Sequence, residues 1–298
     1  MLSPPASAVE FAPPVTASVF DGDRAYEYLK GICALGPRMS ASDAMRRQQE
    51  LLKEHFETLG ATVELQRFEG RQPSLGQRTF PCANLIVRWH PETKRRVLLG
   101  AHYDTRPKAD QEPIFRNREK PFLGANDGAS GVAFLMELGR VIPQLDLKVG
   151  VDFVLFDAEE YIVDKNRDRY FLGSEYFVDQ YVNSRPDYRY EKVIVVDMIA
   201  DRELEIFPDQ RSAAKAGRLV GEVFGIANEL RLRQFVPRVK YDVLDDHVAF
   251  QKKGIPAIVL IDFDYPHWHR LTDTPKRCSG ESLEVVSRVI IEWLRRQQ

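Results

Sequence analysis

Cysteine is scarce in this chain. Among its 298 residues there are three, Cys33, Cys82 and Cys278, without CxxC spacing. That excludes a zinc ribbon and a full disulfide framework, while a single bridge stays open. No apolar run approaches the ~20 residues needed to span a bilayer, so no membrane partner is expected. Neither sign of charge is in excess. Lys and Arg number 42 against 44 Asp and Glu, for a net charge of -2 and a pI near 6.3, which leaves no basic field for nucleic acid. Internal repeats, heptads and low-complexity linkers are missing as well, which favours one domain over two. The opening MLSPPASAVEFAPPVTAS lacks the basic flank and apolar core of a secretory leader. Its Pro and Ala content predicts a flexible arm over residues 1–18, followed by a single domain over 19–298. The compartment stays open: periplasmic or secreted if a leader was trimmed, cytoplasmic otherwise.

What is present is ordinary globular composition, 44% hydrophobic and 29% charged, enough for one large α/β domain. Its informative stretch is Val151 to Glu160, VDFVLFDAEE. The apolar run reads as a strand buried on both faces, the pattern of a parallel sheet covered by helices. It stops abruptly at Asp157, Glu159 and Glu160, where open α/β sheets collect their ligands. Two adjacent glutamates offer two roles, one binding a metal and the other moving a proton. A solvated acidic turn is the plain alternative.

The rest of the chain places companions beside that stretch. Asp21 or Asp23 caps a first helix that ends before Gly36-Pro37, and Ser42 and Asp43 open a second, stopped by Gly60. Thr62 to Phe68 alternates as an edge strand. Ala83 to Trp89 and Arg96 to Ala101 are strands with a short connection, expected to pair antiparallel. The second delivers His102. A long polar loop, 104–123, leads to Gly124-Ala125-Asn126-Asp127-Gly128-Ala129-Ser130-Gly131 and a helix. Gly173 to Val182 is a further helix, Lys192 to Val196 a buried strand ending at Asp197, and Leu204 to Phe207 a short strand. Two helices, 212–230 and 245–253, precede the strand Ala257 to Ile261, after which comes DFDYPHWH with His269; Glu281 to Arg295 closes the chain as a helix.

His102, the Asp157/Glu159/Glu160 group and Asp197 thus each follow an apolar strand directly, and His269 follows one by a loop. Asp127 joins from the glycine-rich turn. Imidazole and carboxylate without thiolate suit a catalytic zinc centre better than a structural one. A single His or Asp at such a place is more often a core residue or a cap; this many together are harder to dismiss.

In that order and spacing, Gly36-Pro37-Arg38, Ala101-His102-Tyr103-Asp104, the 124–131 turn, Asp157-Ala158-Glu159-Glu160, Val196-Asp197-Met198, Asp245-Asp246-His247 and Trp268-His269 resemble the zinc-dependent exopeptidases of the aminopeptidase and glutaminyl cyclase group. The resemblance runs from about Gly36 to the C-terminus. It implies a three-layer open α/β sandwich with a mixed, mostly parallel sheet and helices on both faces. It further implies that Asp127, Glu160 and His269 bind the principal zinc and that Glu159 is the general acid/base. Positions matching His102 and Asp197 hold a second zinc in the aminopeptidases.

Asp245-Asp246-His247 and Trp268 look closer to the cyclase branch. There the residue matching Asp245 lies near the one matching Asp197, both belong to the catalytic network, and the second zinc position is empty. Trp268 and Tyr265 are the expected substrate-binding walls. Helix capping and plain packing are the alternatives for these residues. The loop after Glu160 departs from vertebrate cyclases in offering Tyr161 and Tyr170 instead of a pocket tryptophan, and the cysteine pair of the secreted animal enzymes is missing. The implied activity is glutaminyl-peptide cyclotransferase, an acyltransferase forming N-terminal pyroglutamate with one Zn2+. The implied partners are peptide or protein N-termini, and a monomer is expected. A di-zinc aminopeptidase is the rival, and a non-catalytic binding module should have lost ligands or Glu159.

Overall fold

The computed structural model describes residues 20–297, so the arm over 1–18 lies outside the described residues. Local chemistry starts the helices where the sequence predicts. Asp21 accepts from the Arg24 backbone N–H ahead of α1 (Gly22–Ala34), and Ser42 from that of Met45 ahead of α2 (Asp43–Thr58). Each side chain satisfies a backbone donor that the first turn leaves unpaired. Gly60, at φ 90°, ends α2 in the left-handed conformation that glycine adopts without a Cβ clash. The remaining helices are α3 (Ala129–Val141), α4 (Leu172–Ser184), α5 (Gln210–Glu229), α6 (His247–Lys252) and α7 (Gly280–Arg295). No helix of the described residues is long and apolar enough to cross a membrane.

One sheet contains β1 (Thr62–Arg71), β2 (Thr79–Trp89), β3 (Arg95–His102), β4 (Gly150–Phe156), β5 (Arg189–Asp197) and β6 (Ala257–Ile261). The spatial order is β1-β2-β4-β3-β5-β6. β4, β3, β5 and β6 run parallel, while β1 and β2 are added on one side by antiparallel pairing, so that only β2 runs against the rest. Residues alternate along β4, with Val151, Phe153 and Leu155 in one core and Val154 and Phe156 in the other. The first core lies under α1, α2, α3, α5 and α7, and the second under α4 and α6. The result is the three-layer sandwich that the apolar run demands, since a strand greasy on both faces needs cover on both.

Two expectations are corrected. β2 and β3 do not pair, because β4 lies between them. Residues 90–94, at up to ~3.3 Å each, easily cross two strand spacings of ~4.8 Å, so a short connection did not require adjacency. Leu204 to Phe207 forms no strand either. Ile206 makes one isolated bridge to Phe235, and Pro208 and Pro237 beyond them have no N–H with which to extend it.

The β2–β3 connection is fastened by Arg96, which is 1% exposed. Its guanidinium donates to the carbonyls of Trp89, His90 and Thr93 and pairs with Asp152 of β4, itself 0% exposed. Arg96→Met should therefore cost about 3–5 kcal/mol, because it strands a buried carboxylate. Arg95→Met, which removes an exposed pair with Glu191, should cost less than ~1 kcal/mol. Urea midpoints would show the gap. Equal losses would mean that Arg96 is no more than a surface cation.

Candidate metal centre and active site

Parallel strands end at one edge, and the ligand-type residues gather there. His102 is the last residue of β3 and Asp197 the last of β5. The His102 Nε2 lies 3.1 Å from Asp127 Oδ1 and 3.2 Å from Asp197 Oδ1. On the other side of Asp127, His269 Nε2 lies 3.5 Å from Asp127 Oδ2 and 2.9 Å from Glu160 Oε2. Asp127 thus turns one oxygen toward each histidine. Ligand atoms of His102, Asp127 and Glu160 also fall within 4.8 Å of one another.

Buried carboxylates and one arginine hold these groups in place. Asp104 accepts the backbone N–H groups of Glu159 (3.0 Å) and Glu160 (3.3 Å). Asp273 does the same for Asn126 (2.9 Å) and Asp127 (3.3 Å). Arg38, from the Gly-Pro-Arg turn, donates to the carbonyls of Leu123 (2.6 Å) and Gly124 (2.9 Å). The glycine-rich turn has a steric reason, because a Cβ on Gly128 would stand 2.5 Å from His102 Nε2. Ala158, Met198 and His269 all have positive φ, 54°, 48° and 52°. Such strain in residues with a Cβ costs roughly 1–2 kcal/mol each and marks a site that its surroundings over-determine.

The electrostatics call for a cation. Burial pushes the Glu160 carboxyl up to about 7, helped by Asp127. Burial raises Glu159 well above the carboxylate range, with Glu160, Asp246 and Asp245 adding to it against His102. Asp197 is raised by burial, and Asp245 strongly by burial and then by Asp197 and Asp246. Burial alone would lower His269, but Asp110 and Glu160 outweigh it and bring the imidazole to about 9. Protons are held wherever they can neutralise surplus negative charge. A divalent ion would do so better, and Asp127 Oδ2, buried without a hydrogen-bond donor, is a free ligand atom for it. Histidine and carboxylate donors at this spacing fit zinc.

A cavity of about 310 Å³ opens over this floor. Asp127, Glu159, Glu160, Asp197, Asp245 and His269 line its bottom, and Tyr170, Phe171, Leu244, Phe263 and Trp268 its walls. The Trp268 ring stacks on that of His269 at 4.1 Å and faces the cavity too, so it packs and forms wall at once. Helix capping is not what Asp246 does, since its side chain makes no cap bond to α6.

Three sequence-based expectations need adjustment. Tyr265 is buried, does not line the cavity, and gives its hydroxyl proton to Asp273 at 2.7 Å. It supports the turn bearing Asp127. Asp157 turns away from the ligand group and accepts from Ser40 Oγ and the Ala83 and Ala158 N–H groups. Tyr161 packs on Phe80 outside the cavity. Phe263, Phe171 and Leu244 were not singled out from the sequence, although Phe263 sits in the quoted DFDYPHWH segment; Asp110 and Asp273 carried no local signal.

The chain is similar to known proteins along most of its length. Residues 84–294 match the family model described as Peptidase family M28. The crystal structure of Fimbriiglobus ruber glutaminyl cyclase is 40% identical, with TM-score 0.90 over 99% of this chain and 100% of that one. A zinc-dependent exopeptidase from Parabacteroides distasonis is 29% identical, with TM-score 0.86 over 93% of this chain and 98% of its own. Among curated relatives, the glutaminyl-peptide cyclotransferase of Boiga irregularis is 26% identical over 267 residues, 78% of this chain and 69% of the relative. The α/β sandwich, the strand-end ligand set and the match across most of its length lead to one conclusion: this chain belongs to peptidase family M28.

Proposed function

We propose that the chain is a glutaminyl-peptide cyclotransferase, converting the N-terminal glutamine of peptides or proteins to pyroglutamate with release of ammonia. The observation that carries this reading is the end-to-end likeness, at 40% identity and TM-score 0.90, to a glutaminyl cyclase. The intact acidic floor under an aromatic cavity fits it, as a binding module would be free to lose Glu159 or the ligands.

Asp127, Glu160 and His269 are the residues we assign to the zinc. Bound there, zinc would supply Lewis acidity toward the γ-carbonyl oxygen of glutamine. Glu159 lines the same cavity without belonging to that ligand set, and burial raises its affinity for a proton, as suits a group that takes up a proton and hands it on. It takes a proton from the attacking α-amine and delivers it to the departing amide nitrogen. The new C–N bond forms as the old one breaks, and ammonia leaves. Trp268, Phe263 and Tyr170 fold the glutamine side chain toward its own amine and keep water out. Asp197 and Asp245 sit beside Glu159 as the carboxylates that hold the substrate amine.

A di-zinc aminopeptidase is favoured by one observation, the placement of His102 between Asp127 and Asp197 at 3.1 and 3.2 Å. Metal content decides. One zinc per chain with ammonia release from Gln-peptides is expected; two zincs with cleavage of a Leu-amide would replace the cyclase reading.

Glu159→Gln should retain zinc while turnover drops on the order of 10² or more, the usual share of general acid/base catalysis. Glu160→Gln should chiefly weaken zinc binding. Zinc titration beside rate measurement separates the two, and a fully active, zinc-loaded Glu159→Gln protein would sink the mechanism. Trp268→Ala should raise KM and reduce kcat/KM by roughly fivefold, as expected for a lost aromatic contact of ~1 kcal/mol. Unchanged kinetics would leave Trp268 only its packing on His269.

A further inference from the structure

The loop over residues 104–123 grips His269 at two points. Asp110 Oδ1 lies 3.0 Å from His269 Nδ1, and the Gln111 N–H donates to the His269 carbonyl at 3.3 Å. The second bond helps hold His269 at its strained φ of 52°. Asp110 is itself fixed from behind. The buried Arg106 guanidinium donates to Asp110 Oδ2 at 3.0 Å and to the Tyr170 hydroxyl at 3.1 Å. Its own backbone N–H bonds Glu160 Oε1 at 2.7 Å. Trp268 stacks against one face of the His269 ring.

A carboxylate has no proton to give, so the shared hydrogen belongs to Nδ1. Once the imidazole gives up its second proton, as a metal ligand must, the lone pair is left on Nε2, which faces Glu160 Oε2 at 2.9 Å and Asp127 Oδ2 at 3.5 Å. We propose that Asp110, locked by Arg106, is the positioning residue that sets the tautomer and orientation of His269 and so tunes how tightly the zinc is held. Carboxylate partners of this kind make a ligating imidazole more basic and save it from having to find its orientation when the metal arrives. The inference rests on the reading that His269 is a zinc ligand.

Chelator competition on the full chain tests it, together with thermal unfolding of the zinc-stripped protein and NMR of the His269 ring nitrogens. Asp110→Ala should weaken zinc binding by about 10- to 100-fold without moving the unfolding temperature of the zinc-free protein. Asp110→Asn keeps an acceptor oxygen without the charge and should fall between. At saturating zinc, kcat should return to within a few-fold of the wild type with KM unchanged. The wild-type zinc form should show the Nδ1–H tautomer. His269→Ala serves as the reference. If it loses zinc while Asp110→Ala binds zinc like the wild type, the role of Asp110 is refuted and the ligand assignment stands. If His269→Ala keeps its zinc, the ligand assignment falls and this inference with it. A loss of affinity that only tracks a lower zinc-free unfolding temperature would make Asp110 a structural residue and overturn the proposal.

Discussion

Everything at the active edge depends on an unbalanced burial of negative charge. Asp104, Asp127, Glu160, Asp197, Asp245 and Asp246 are buried within reach of only a few positive groups, notably His102, His269 and Arg106. An apolar sheet cannot solvate that surplus, so it is met by backbone N–H groups, by retained protons, or by a metal ion. The parallel strands supply the geometry. Because β3, β4, β5 and β6 run the same way, the residues that follow them emerge at one rim, and charges far apart in sequence become neighbours.

Carboxylates at this rim divide into two kinds. Asp104 and Asp273 spend their oxygens on main-chain N–H groups of Glu159, Glu160, Asn126 and Asp127, which fixes the turns that carry the ligands. Asp127 and Glu160 keep at least one oxygen each facing a histidine, and Glu159 and Asp245 face the cavity. The first kind builds the rigid frame that a metal site needs, and the second is what we assign to the metal and the substrate. Substituting a frame carboxylate should thus look like loss of function although it never touches a reactant.

The legible and illegible parts of this chain separate by range. VDFVLF announced a strand covered on both faces because that requirement is written into each side chain. Asp21 and Ser42 announced helix starts because a cap reaches only two or three residues ahead. His102, Asp127, Glu159, Glu160, Asp197 and His269 could be grouped because strand ends in an α/β sheet share an edge. Nothing local could say that β4 enters between β2 and β3, since neighbours in a sheet need not be neighbours in sequence. Tyr265 looked like pocket wall because the resemblance expects an aromatic at its place, yet a buried phenol goes where an acceptor waits, and Asp273 was waiting. Asp110 meets His269 across a separation of 159 residues, a pairing that no local pattern announces.

Charge surplus also links stability to the metal. Glu160 titrates near 7 in the folded, metal-free state, against ~4.3 for an unperturbed glutamate. Between those values the folded chain holds a proton that the unfolded chain has lost. The metal-free fold therefore loses stability as pH rises through that window, and the loss is complete above the folded value. A cation among the carboxylates reverses the sign, because it favours the charged forms and displaces the protons. Binding would then stabilise the fold most in the neutral range where a cyclase must work, and the same excess of carboxylate that burdens the sheet edge would be the source of an affinity for zinc.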